Sequence, residues 1–90
     1  MALSAYDLQA AEHHRRAADG FEACARHHRL AAVGHDRGDL DAADHHAQEA
    51  LREYADGTRH QERALELDQR ALHGEGMPPI ELQRPLASVR

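Results

Sequence analysis

Histidine doublets flanked by alanine recur along this 90-residue chain. AAEHHRRAA spans residues 10–18, CARHHRLAA spans 24–32, and a looser copy, AADHHAQEA, spans 42–50. Neutral imidazole is a common ligand for Zn, Ni and Cu, and it changes charge near neutral pH. The spacing therefore raises two chemistries, metal binding and proton-driven switching. A third account is chemically inert: the chain has no Lys and no Asn but abundant Ala, Arg, His and Asp, a bias that a GC-rich coding sequence produces. Which of these holds depends on which histidines the fold brings together.

The elements that position them read as helices. Ser4 followed by Asp7 forms a short capping box ahead of an alanine-rich run, and this predicts a helix over 5–33. Gly34 to Gly38 interrupts the run, and Asp39 caps a second helix expected over 39–73. Gly74, Gly76, Pro78 and Pro79 end it, leaving 74–90 as an extended or disordered tail beside a 1–73 helical hairpin domain. Gly20 costs about 1 kcal/mol in a helix interior and does not reverse the chain. Thr58 and Gln61 after Gly57 can form a fresh capping box, so a three-helix arrangement broken at Gly57 is the alternative.

Apolar positions repeat every seven residues. Leu3, Ala10, Ala17, Cys24 and Ala31 form one column of the first helix, and Ala11, Ala18, Ala25 and Ala32 form another. In the second helix Ala43, Ala50, Gly57, Ala64 and Ala71 line up beside Leu51, Leu65 and Leu72, with Ala47 and Tyr54 between them. Repeats this regular predict two antiparallel helices lying nearly alongside each other.

Between the two alanine columns of the first helix runs a third, His14, Phe21 and His28, at the middle of the apolar stripe, with His13 and His27 at its edge. On the second helix the matching column is His46, Glu53 and His60. Both place histidines about 21 Å apart along the axis. Folding the chain at the turn pairs His28 with His46, Phe21 with Glu53, and His14 with His60. The candidate metal ligands are therefore His14, His28, His46 and His60. Glu53 and Glu49, or a second subunit, are available to complete a tetrahedral set for Zn, Ni or Cu.

Other chemistry is poorly supplied. A net charge of −5 argues against nucleic-acid binding through phosphates, although adding nine protons takes that charge to +4. Cys24 is the only cysteine, so no intrachain disulfide forms. No apolar run is long enough for a membrane span, which points to a soluble, cytoplasmic protein. Asp36, Asp39, Asp41 and Asp44 lack EF-hand spacing and read as capping residues. No nucleophile with a base and orienting group, and no phosphate loop, is present, so no enzyme activity and no required cofactor are expected. With a core made mostly of alanine, self-association into a homodimer is the natural remedy.

The iterated Ala-x-His-His-x-x-Ala-Ala pattern, followed by Gly38-Asp39 and another Ala-Ala-x-His-His segment, resembles small bacterial histidine-rich helical-hairpin proteins over residues 10–50. That resemblance carries no activity with it. Leu30, Ala31, Gly38, Asp39, Leu40, Asp41, Ala43, Gln48, Ala50 and Leu51 also resemble a single tetratricopeptide-like hairpin, which implies a peptide partner. Such units usually stack in arrays, and no further repeat follows. The expectation is thus an all-α, non-enzymatic interaction or structural protein. A metal-binding or pH-responsive bundle is the alternative, and a peptide-binding adaptor the third reading.

Overall fold

A computed structural model of the chain describes residues 3–74. They form two helices, α1 (Ala5–Asp36) and α2 (Leu40–Leu72), packed as an antiparallel hairpin. The tail expected from residue 74 lies, apart from Gly74, outside the described residues. The α1 N-terminus is closed by the full capping box, in which Asp7 N–H donates to Ser4 Oγ at 3.0 Å and Ser4 N–H donates to Asp7 Oδ2 at 3.1 Å.

The turn is a Schellman motif. Asp39 N–H donates to Gly34 O at 2.8 Å and Gly38 N–H to His35 O at 3.0 Å, while Gly38 takes a φ of 69° that glycine adopts without strain. Asp39 closes the α1 end and also caps α2, its side chain accepting from Ala42 N–H at 3.1 Å. One residue thus serves both helices, which makes the connection abrupt and the helices antiparallel. Helix α1 runs three residues past the expected 33 because Gly34 stays helical and lies in the interface. Helix α2 is continuous through Gly57, so the three-helix alternative is not what the chain adopts.

The seam between the helices follows a strict heptad. Helix α1 contributes Tyr6, Ala10, His13, Ala17, Gly20, Cys24, His27, Ala31 and Gly34, all buried or half-buried. Helix α2 contributes Ala43, His46, Ala50, Glu53, Gly57, His60, Ala64, Leu67 and Ala71, also all buried or half-buried. Glycine sets the approach. A Cβ on Gly20 would stand 2.9 Å from Gly57 Cα and 2.9 Å from Gly57 N, and one on Gly34 would stand 2.8 Å from Ala43 N. Facing residues accordingly have numbers that add to 77, as in Gly20 with Gly57 and Gly34 with Ala43.

This corrects the expected rotation of α1. The His14–Phe21–His28 column is not the seam. The column one residue earlier, Tyr6–His13–Gly20–His27–Gly34, takes that place, a turn of roughly 100° about the helix axis. The cause is steric: only the column carrying both glycines lets the two backbones touch. Among the described residues the one cluster of larger buried side chains sits at the open end, where Tyr6 and Leu67 pack with Ala10 and Ala71. The Tyr6 hydroxyl is buried there without a hydrogen-bond partner among the described residues.

Gly20→Ala tests the glycine contact directly. Helix propensity alone favours alanine by about 1 kcal/mol, but overpacking a filled site costs about 1–3 kcal/mol, and here the obstacle is backbone. The expected result is a net loss of stability, read as a lower Tm in thermal melts, whereas Ala55→Gly, at an exposed position of α2 turned away from the seam, loses only the propensity term.

Candidate functional site

The close approach at Gly20 and Gly57 places imidazoles in contact across the seam on either side of it. His13 Nδ1 lies 2.9 Å from His60 Nδ1, with the rings stacked at a centroid distance of 5.1 Å. His27 Nδ1 lies 3.1 Å from His46 Nδ1, with a centroid distance of 5.3 Å. A hydrogen bond between two imidazole nitrogens needs one donor and one acceptor, so each contact holds a single proton. Both pairs are half-buried.

The residues expected at the site divide. His46 and His60 lie in the seam as expected, but their partners are His27 and His13 rather than His28 and His14. His14 is exposed and its Nε2 lies 2.8 Å from Asp68 Oδ2, on a broad face of the hairpin. His28 is exposed. Phe21 does not face Glu53: its ring packs against Gly57, whose added Cβ would stand 2.8 Å from it, and against Tyr54 at a centroid distance of 6.0 Å. A signal for the correct partners was present, since His13 and His27 share the seven-residue column with Gly20 and Gly34. It was missed because those glycines read as interruptions.

Among the described residues, one histidine pair has two carboxylates close enough to a ring nitrogen to share an ion. A ring nitrogen of His27 and one oxygen each of Glu49 and Glu53 all lie within 4.8 Å of one another, and all three residues are half-buried. Glu49 also accepts from Arg52 Nη1 at 2.8 Å, with the guanidinium well exposed. No hydrogen bond or ion pair reaches the Glu53 carboxylate among the described residues. Around the other pair, His60 Nε2 is 4.0 Å from Asp56 Oδ1, and Arg63 nearby is paired with Glu66. Cys24 is buried on the opposite edge of the seam, among alanines.

Burial holds the His13 pKa below its ordinary value of 6.5; His60, Arg63 and Arg16 push in the same direction, and Glu12 opposes them. The unfolded chain therefore binds a proton at this position before the folded one does. The contribution of neutral His13 to stability is complete above pH 6.5 and is lost as pH falls through and below it. Melts between pH 7.5 and 5.5 should show stability falling with acidification, and His13→Gln should flatten that slope.

Comparison of the chain with protein-family models, with curated proteins and with solved structures finds no match. Neither resemblance carried by the sequence gains support from it, and the geometry of the seam carries the functional argument.

Proposed function

We propose that this chain is a non-enzymatic assembly module, a helical hairpin that pairs with a second copy of itself to form a four-helix bundle. One observation carries the reading. Leu40, Leu51, Tyr54, Leu65 and Leu72 are each 52–78% exposed, and their seven-residue columns lie side by side on α2, next to the seam. Phe21 meets Tyr54 on this same side, so the Ala11, Ala18, Ala25 and Ala32 column of α1 continues the face. The opposite face carries Glu12, Arg16, Asp19, Arg26, Glu49, Arg52, Asp56 and Arg59.

A second copy is the fitting occupant. The leucines lie along the outer part of the α2 half, and on the α1 half the Ala11, Ala18, Ala25 and Ala32 column lies outside Phe21 and the His14–Asp68 pair, which sit next to the seam. A twofold axis through the face lays the α2 leucines of one copy on the α1 alanines of the other, an isologous arrangement. The hairpin also needs it. Among the described residues only Tyr6 and Leu67 are large side chains that are fully buried, and a stable domain usually has two packed layers of elements. The wide apolar stripe of α1 then serves two neighbours, helix α2 of its own chain and the partner copy. A pH-responsive character is compatible with this design, because the half-buried His13 in the seam, on the edge away from the leucine face, is held below its ordinary pKa by burial.

Sedimentation velocity tests the assembly. The wild-type chain should run at twice its 10.0 kDa mass at micromolar concentration. Burying one leucine contributes about 1.5–3 kcal/mol and each dimer buries two copies, so Leu51→Glu should weaken association more than about 100-fold. Leu30→Glu, on the other side of α1, should leave it intact. A folded wild-type monomer at that concentration overturns the proposal.

A further inference from the structure

We infer that His27, Glu49 and Glu53 form a binding site for a divalent first-row transition ion of the Zn²⁺ class, with His46 as the residue that orients the His27 ring. This goes beyond the assembly proposal and is independent of it. The cluster lies at the charged edge of the seam, away from the leucine face, so either idea can fail alone.

The donor chemistry selects the ion. One imidazole and two carboxylates suit Zn²⁺, which takes N and O ligands and imposes no geometry of its own. The thiolate that would favour Cu(I) is missing, because Cys24 lies at the opposite edge of the seam. An imidazole in a three-donor set disfavours Ca²⁺ and Mg²⁺, which take oxygen. Two carboxylates also balance the charge of a divalent ion beside a neutral imidazole.

The distances fit. Ligands at ordinary Zn–N and Zn–O lengths in a tetrahedron stand about 3.3–3.5 Å apart, and the three donor atoms already lie within 4.8 Å of one another. Closing that gap needs rotation of half-buried glutamates, not movement of a helix. The backbone holds the set: Glu49 and Glu53 are one turn apart on α2, and the glycine contact at Gly20 brings the His27 column against them.

Two features point to a cation in particular. Glu53 is a half-buried carboxylate that no hydrogen bond or ion pair reaches among the described residues, next to a second carboxylate. Glu49 is held only by the exposed Arg52, a surface pair that contributes little and yields readily. The His46 contact at 3.1 Å plays the role that outer-shell partners play at metal-bound histidines, fixing ring rotation and tautomer. A metal fills three protein positions here and leaves room for water, so the same site in a dimer needs nothing from the partner copy.

The full-length protein is titrated with Zn²⁺ by calorimetry at pH 7.5, and with Co²⁺ while visible absorption reports the coordination geometry. One equivalent per chain is expected, with the ring signals of His27 and His46 shifting in histidine-selective NMR and those of His14 and His28 unmoved. His46→Gln should weaken binding about 10–100-fold, and Glu53→Gln and Glu49→Gln at least as much. His13→Gln and His60→Gln should leave it unchanged. Affinity should fall as pH drops, because the ligands must be deprotonated. Circular dichroism of each variant checks that the helices persist. The inference is overturned by unchanged affinity in Glu53→Gln with the helices intact. Equal loss in the His13 and His60 variants, or several weak equivalents spread over all nine histidines, overturns it as well.

Discussion

The structure depends on a single backbone contact. Gly20 and Gly57 meet with no room for a Cβ between them, and everything else about the hairpin follows from how closely that point lets the helices approach. Side chains at the contact normally set an interaxial distance of about 8–10 Å. Here the smallest residues occupy the crossing, with Gly34 against Ala43 repeating the device near the turn. The contact fixes register, because no other pairing aligns glycine with glycine and Gly34 with an alanine at once. It also fixes rotation, because the glycine column of α1 must point at α2.

Once rotation is set, the seam acquires two unlike edges. One edge is made of Ala10, Ala17, Cys24 and Ala31 against Ala43, Ala50, Gly57 and Ala64, and it buries little apolar area per residue. The other carries the side chains with functional groups: Tyr6, His13 and His27 on α1, and His46, Glu53 and His60 on α2. Polar rings fit there because this edge faces the charged side of the hairpin, where water and ion-pairing partners remain within reach. The same rotation that brings imidazoles together turns the second alanine column and the α2 leucines outward. The polar edge and the exposed apolar face are therefore opposite consequences of one packing decision.

Energetically the molecule is lean. The alanine seam contributes modestly at about 25 cal/mol per Å², and the Tyr6–Leu67 cluster closes only the open end. The capping box at Ser4, the Schellman turn at Gly38 and the shared Asp39 cap contribute at the helix ends, where they define length and direction rather than supply a core. His13 at the seam adds a conditional term, because burial holds its pKa below the ordinary value and its contribution is lost on acidification. This makes the stability of the hairpin responsive to conditions that a purely apolar seam would ignore.

Much of the architecture was legible in the residues alone. Local rules settle helix starts, turn chemistry and the two-helix layout, and Ser4, Asp7, Gly38 and Asp39 act as their types predict. The seven-residue columns were also legible, but of those expected in the interface only Ala10–Ala17–Cys24–Ala31, Ala43–Ala50–Gly57–Ala64–Ala71 and His46–Glu53–His60 lie in the seam. What local rules do not settle is which side of a wide apolar stripe faces the intramolecular neighbour. The stripe of α1 is symmetric about His14, Phe21 and His28 in composition, and only the three-dimensional approach of two backbones breaks that symmetry. Glycine carries no side chain from which to read a preference, so its role as the contact point appears only when the second helix is in place. That is why the sequence determined a histidine-bearing helical hairpin, whereas the tertiary structure decided that His13 and His27, not His14 and His28, meet the histidines and carboxylates of α2.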